Sequence, residues 1–279
     1  MNATRGFRLT FFLVLISACG KKQDESNAIA PVFKLLPGSE TGVDFVNLLT
    51  EDDTVNQLVY NYAYNGGGVA AGDLNNDGLE DLVFTVNNSP SKVYLNKGNM
   101  RFEEAGAKTG IQPEGWCTGV SIVDVNNDGW NDVYICRSGP NPNQEMRKNL
   151  LYVNQGNGVF REMAAAWGLD DAGYSRQAAF FDMDNDGDLD CYVANHALPF
   201  FKSLDVSFSR TMMKDASNSQ RMYENKGNKF ENISAGAGMD AMGYGHSATP
   251  GDFNRDGLTD LYVCNDYFIH DYFYINLGG

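Results

Sequence analysis

The 279-residue chain carries 36 acidic against 21 basic side chains, a formal net charge of −15, which excludes a nucleic-acid binder built on a basic face. Its 43% hydrophobic and 12% aromatic content supplies too much apolar material for a disordered acidic tail and enough for a packed core. Thirty glycines beside 14 tyrosines and 17 phenylalanines favour short strands joined by tight turns, so the expected class is all-β.

Residues 1–18 read as a signal peptide. Arg5 and Arg8 precede a short apolar run from Leu9 to Ile16, which falls short of the ~20 apolar residues of a membrane span. The run Ile16-Ser17-Ala18-Cys19 resembles the lipobox of bacterial lipoproteins. That resemblance implies lipidation of Cys19 and contact with a membrane through the lipid anchor alone. Residues 19–32 then form a polar tether, and Lys21-Lys22-Gln23-Asp24-Glu25 resembles a surface-export signal. The expected location is the outer membrane or cell surface, with the periplasmic side left open. Among the other cysteines, Cys136 and Cys264 each stand four residues after a loop-closing aspartate. Equivalent positions in separate repeats lie far apart, so buried free thiols are expected for Cys117, Cys136, Cys191 and Cys264 rather than disulfides or a zinc site.

Residues 33–279 are repetitive. The pattern D-x-[DN]-x-D-G-x-x-D occurs four times without a gap, at 73–81, 124–132, 182–190 and 252–260. The starts are 51, 58 and 70 residues apart. A small or apolar run leads into each string and a β-type run follows it, such as Leu82 to Val86, Val133 to Cys136, Cys191 to Ala194 and Leu261 to Cys264. A second motif, Tyr-x-Asn-x-Gly, then begins at Tyr94, Tyr152, Tyr223 and Tyr274, and in the first three repeats it continues to Phe102, Phe160 and Phe230. It predicts strand, Asn/Gly turn and strand. Three or four short strands per period of about 50 residues fit a propeller blade; open solenoid coils are shorter, about 20 to 30 residues.

Calcium takes six to eight hard oxygen ligands at short range. The strings offer side chains at positions 1, 3, 5 and 9 and a backbone carbonyl at position 7. The candidate ligands are Asp73, Asn75, Asp77, Leu79 and Asp81; Asp124, Asn126, Asp128, Trp130 and Asp132; Asp182, Asp184, Asp186, Asp188 and Asp190; and Asp252, Asn254, Asp256, Leu258 and Asp260. Glycine at position 6 permits a left-handed turn. Position 12, where an EF-hand needs glutamate, is Phe84, Ile135, Val193 or Val263, so the loops lie between strands. An Asx-rich turn explains one such string. Four strings with alternating carboxylates, repelling by about 1 kcal/mol per close pair even at high dielectric, point to as many as four bound Ca²⁺.

These strings resemble the calcium loops of FG-GAP or VCBS repeats, as in the integrin-α β-propeller. Thr41 to Phe45, the lead-in Tyr64 to Asp73 and the Tyr-x-Asn-x-Gly turns more narrowly resemble the ASPIC-and-UnbV group that includes the cartilage acidic proteins. The resemblance implies a seven-bladed propeller with a further C-terminal domain. The fourth repeat reaches only its turn at Gly278, so the expectation is an incomplete ring in a truncated chain.

The function expected is non-catalytic: a calcium-stabilised, lipid-anchored module that binds a glycan or a protein, or serves in adhesion, through its variable linkers. The third linker, Asn195 to Gln220, places His196, Phe200, Phe201, Lys202, Arg210, Met212, Met213 and Lys214 on an otherwise acidic protein, and reads either as a tolerated insertion or as a set of candidate contacts. The alternatives are the propeller part of a glycan-active enzyme and a scaffold for domains beyond Gly279. Against an enzyme, His196, His246 and His270 show no nucleophile or metal spacing, and no G-x-S-x-G elbow is present. The oligomeric state is left open.

Overall fold

The computed structural model describes residues 31–60, 62–141, 143–197, 218–267 and 269–278. The signal peptide, Cys19 and most of the tether lie outside these residues, as do positions 198–217 of the third linker. The segment up to Leu36 is a unit of its own, and its described part, 31–36, has no helix or strand.

From Pro37 onward the described residues form four antiparallel sheets in strict chain order. The first holds β1 (Val69–Gly72), β2 (Asp81–Phe84), β3 (Lys92–Asn96) and β4 (Phe102–Glu104). The second holds β5 (Cys117–Val123), β6 (Asp132–Arg137), β7 (Leu150–Asn154) and β8 (Phe160–Glu162). The third holds β9 (Ser175–Phe181), β10 (Asp190–Asn195), β11 (Arg221–Asn225) and β12 (Phe230–Asn232), and the fourth β13 (Gly245–Gly251), β14 (Asp260–Asn265) and β15 (Tyr272–Tyr274). Each full repeat is thus four strands, and every acidic string joins the first strand to the second. Position 12 of each string falls inside that second strand, as expected.

The sheets are β-propeller blades. Their first strands neighbour one another in series and come so close that a Cβ on Gly72 would lie 2.6 Å from Ile122 Cγ2. Ser121 Oγ donates to the Ala178 carbonyl at 3.0 Å, and Ala248 N donates to Gln177 Oε1 at 3.1 Å, joining blade 2 to 3 and blade 3 to 4. Between blades lie the hydrophobic cores. Blades 1 and 2 bury Leu74, Val83, Ile111, Val133 and Phe160 together; blades 2 and 3 bury Val125, Leu151, Leu169, Val193 and Phe230. Leu74 and Val125 are position 2 of their strings, so each loop sends one apolar side chain into the joint with the next blade. Burying such a side chain contributes about 1.5–3 kcal/mol. Phe253, the same position in the fourth string, is 50% exposed.

The joint between blades 3 and 4 is less full. It holds Met183, Met222, Met239 and Leu261, but β15 has no outer partner among the described residues. A cavity of about 510 Å³, lined by Met183, Ile233, Met239, Leu258 and Tyr274 among others, opens where Phe160 and Phe230 fill the two preceding joints.

At the end opposite the loops, residues at the starts of the first strands and just after the second strands converge on the segment that leads into blade 1. Tyr60 and Tyr62 of that segment are 1% and 4% exposed. Tyr60 packs edge-on against Trp116, with ring centroids 5.3 Å apart, and Tyr62 packs against His196 at 4.7 Å and His246 at 5.3 Å. One segment thereby touches blades 2, 3 and 4. His196 is fully buried, contrary to its place among the candidate linker contacts. Burial and the charge of Arg176 hold its imidazole neutral. Its Nδ1 then donates to the Ala197 carbonyl at 3.1 Å and its Nε2 accepts from Ser138 Oγ at 3.0 Å. Cys117, Cys136 and Cys191 are buried and unbridged, and Cys264 is half-buried and unbridged. Burial pushes the Cys117 thiol up to about 11.

Candidate metal centre

Each nine-residue string closes on itself because its short acidic side chains reach backbone N–H groups two to five residues ahead. In the first loop Asp77 N donates to Asp73 Oδ1 at 3.2 Å and to Asn75 Oδ1 at 3.0 Å, Gly78 N to Asp73 Oδ2 at 2.7 Å, and Leu79 N to Asp77 Oδ1 at 2.9 Å. The second and fourth loops repeat this set with Asp124, Asn126 and Asp128 and with Asp252, Asn254 and Asp256. The position-6 glycines, Gly78, Gly129, Gly187 and Gly257, have φ between +82° and +93°, the conformation that admits glycine freely.

Position 4 is left-handed too, a feature that the D-x-[DN]-x-D-G-x-x-D pattern does not encode. Asn76, Asn127, Asn185 and Arg255 have φ of 57°, 57°, 60° and 66°. Asparagine tolerates this region and arginine does not, and asparagine at position 4 in three of four copies was the available signal. Arg255→Asn is therefore expected to stabilise the chain by about 0.5–1 kcal/mol, read as a rise in melting temperature; an unchanged or lower value counts against strain at this residue.

The position-9 aspartates differ from the other candidate ligands. Asp81, Asp132, Asp190 and Asp260 are at most 1% exposed, and both oxygens of each carboxylate accept a backbone hydrogen bond. Asp132 Oδ2 accepts from Val125 N at 3.1 Å and its Oδ1 from Asn154 N at 2.7 Å. Asp81 does the same with Leu74 and Asn96, Asp190 with Met183 and Asn225, and Asp260 with Phe253 and Asn276. Each oxygen keeps a second lone pair for an ion.

Asn96, Asn154, Asn225 and Asn276 are the asparagines of the Tyr-x-Asn-x-Gly motif, which therefore does more than turn the chain. Each side-chain oxygen accepts from the glycine two residues on, at 2.9–3.1 Å. Each Nδ2 donates to the position-8 carbonyl of its own loop: Glu80, Asn131, Leu189 or Thr259. The last three also donate to the position-2 carbonyl of the preceding loop, Leu74 at 2.9 Å, Val125 at 3.1 Å and Met183 at 2.7 Å. Further bonds run directly between loops, from Asn76 Nδ2 to the Gly129 carbonyl at 3.0 Å and from Asn185 Nδ2 to the Gly257 carbonyl at 3.1 Å.

The third loop tests whether these residues fit a cation. Oδ1 of Asp182 and Oδ1 of Asp188 are buried and have no hydrogen-bond partner. Oxygens of Asp182, Asp184 and Asp190 lie within 4.8 Å of one another. Burial, joined by the neighbouring carboxylates, pushes Asp188 and Asp190 up to about 6 and Asp132 in the second loop to about 7. Buried carboxylate oxygens without donors cost free energy unless a cation compensates them. The donor set is all oxygen, hard and loosely spaced, which suits Ca²⁺; Mg²⁺ demands a tighter octahedron and keeps its waters.

Comparison with known proteins agrees with this plan. The family model for the FG-GAP-like repeat matches residues 73–135 and 136–193. Each match spans a blade boundary, the first running from the first acidic loop into β6. The chain is similar to cartilage acidic protein 1 of Homo sapiens, 27% identical over 206 residues, which is 71% of this chain and 28% of that protein. It is similar to the Xenopus tropicalis protein of the same name, 26% identical over 208 residues, with the same shares. The chain thus spans less than a third of the length of these curated relatives. Blades on a single plan and the matched repeats at 73–135 and 136–193 together identify the chain as a β-propeller that contains FG-GAP-like repeats.

Proposed function

We propose that this protein is a calcium-binding, lipid-anchored propeller that acts outside the cytoplasm as a non-catalytic module for adhesion or for binding a glycan or protein. The observation that carries the calcium half is the pair of buried, donorless carboxylate oxygens on Asp182 and Asp188. Asp, Asn and backbone oxygens at positions 1, 3, 5, 7 and 9 of each loop would hold the ion, which supplies positive charge to a ring of carboxylates and cross-links the first two strands of a blade. Binding that exists only in the folded state adds to stability. The binding half rests on the repeat family and on the linkers at the end opposite the loops. The anchor rests on Cys19 and the residues before it; among the described residues no helix is long and apolar enough to cross a membrane.

The test uses cells expressing the full chain. The protein is expected in the membrane fraction, and Cys19→Ser is expected to move it to the soluble fraction; a variant that still sediments overturns the anchor. The soluble variant, applied to a glycan array and a surface-protein array, should be retained with calcium and released by chelator. Calcium-independent retention, or a trimmed glycan left on the array, overturns the binding role as stated.

A further inference from the structure

Resting on the calcium reading above, we propose that the four loops are not equivalent: the loop at 182–190 is the high-affinity cation site, filled before the other three, and Asp184 and Asp188 make it so.

At the five alternating ligand positions this loop carries five carboxylates, Asp182, Asp184, Asp186, Asp188 and Asp190, where each of the others carries three. Position 3 is asparagine in the others, and in two of them its amide neutralises the loop from within. Asn126 Nδ2 donates to Asp128 Oδ2 at 2.9 Å and Asn254 Nδ2 to Asp256 Oδ2 at 2.8 Å. Asp184 has no such donor, and the one amide in the third loop, Asn185, points away to the Gly257 carbonyl. Position 7 offers only a carbonyl in the others, from Leu79, Trp130 and Leu258, whereas Asp188 adds a carboxylate.

The consequence is visible at position 1. Asp73, Asp124 and Asp252 each accept the position-5 N–H on Oδ1, at 3.1–3.2 Å. Asp182 Oδ1 accepts nothing, and neither does Asp188 Oδ1, though both are buried. Oxygens of Asp182, Asp184 and Asp190 already lie within 4.8 Å of one another. Two effects therefore act in the same direction. The metal-free third loop is raised in free energy by uncompensated carboxylates, and the loaded loop gains two more charged ligands, the variable by which oxygen sites tune calcium affinity.

Titration of chelator-stripped full-length chain with calcium chloride, followed by isothermal calorimetry, reads the affinities directly. One equivalent is expected to bind with a dissociation constant at least about tenfold below the rest. Asp188→Asn and Asp184→Asn should each abolish that separation while circular dichroism stays that of the parent. Terbium emission sensitised by Trp130 reports the second loop, so Asn126→Asp should move its midpoint to lower terbium by about tenfold, whereas Asp188→Asn should leave it in place. Four equivalents of equal affinity, or an unchanged tight step in Asp188→Asn, overturn the hierarchy and leave the calcium reading standing. No calcium bound at any concentration overturns both.

Discussion

Calcium added to chelator-stripped protein is expected to raise its melting temperature by about 5–10 °C or more. A single site held at a hundredfold its dissociation constant contributes about 2.7 kcal/mol, and each kcal/mol moves a domain of this size by about 2–4 °C. The gain arises because the loops collect carboxylates in the folded state alone: Asp132 and Asp190 are buried, with carboxyls pushed up to about 7 and about 6, and Asp182 and Asp188 hold oxygens without donors. The unfolded chain spreads these groups in water and binds the ion weakly. Magnesium at the same concentration should do less, because it gives up its waters reluctantly. The measurement is a thermal melt in excess chelator, in calcium and in magnesium; superimposable curves in chelator and calcium would remove calcium from the account.

Asn225→Ala is expected to cost about 3 kcal/mol, a fall in melting temperature of roughly 6–12 °C. Asn225 is 3% exposed. Its Nδ2 donates to Leu189 in its own loop and to Val125 in the loop of the preceding blade, and its Oδ1 receives Gly227 N. Alanine removes the donor from the buried Val125 carbonyl and from the partly buried Leu189 carbonyl. Asn96→Ala is the matched control: it removes the bond to Glu80 and the turn bond to Gly98, with no preceding loop engaged, so about 1 kcal/mol is expected. Asn225→Asp, which keeps the shape and loses the donor, should resemble the alanine variant. Equal losses at Asn96 and Asn225 would show that these asparagines only shape turns and do not join blades.

Much of the fold was legible because its determinants are local. Asp73, Asn75, Asp77 and Gly78 satisfy one another within five residues, so the loop could be recognised from spacing alone. The apolar residue at position 12 correctly placed each loop before a strand, and Phe102, Phe160 and Phe230 marked the outer strands. The asparagine of Tyr-x-Asn-x-Gly was read as a turn former. Its second task was hidden, since the carbonyl it grips belongs to another blade and no periodicity announces which one. Tyr60 and Tyr62 gave no signal either: they lie before the first repeat, and their importance comes from three blades presenting Trp116, His196 and His246 to one place. His196 was misjudged for the same reason. A histidine in a long linker looks exposed until it is found sealed under Tyr62.

By itself the sequence determined the chemistry of each loop, the order and number of the acidic strings and the strands that flank them, because these follow from side chains reaching their own backbone over two to five residues. Tertiary structure alone decided which carboxylate oxygens find donors and how the loops are connected. Whether Asp182 Oδ1 finds a donor depends on the closed geometry of its loop, and whether Asn225 bonds Val125, 100 residues earlier, depends on blades packing side by side. Hydrogen bonds and buried charge act over a few ångströms in space, so they are set by which surfaces the folded chain brings together and are not written in the spacing of residues along it.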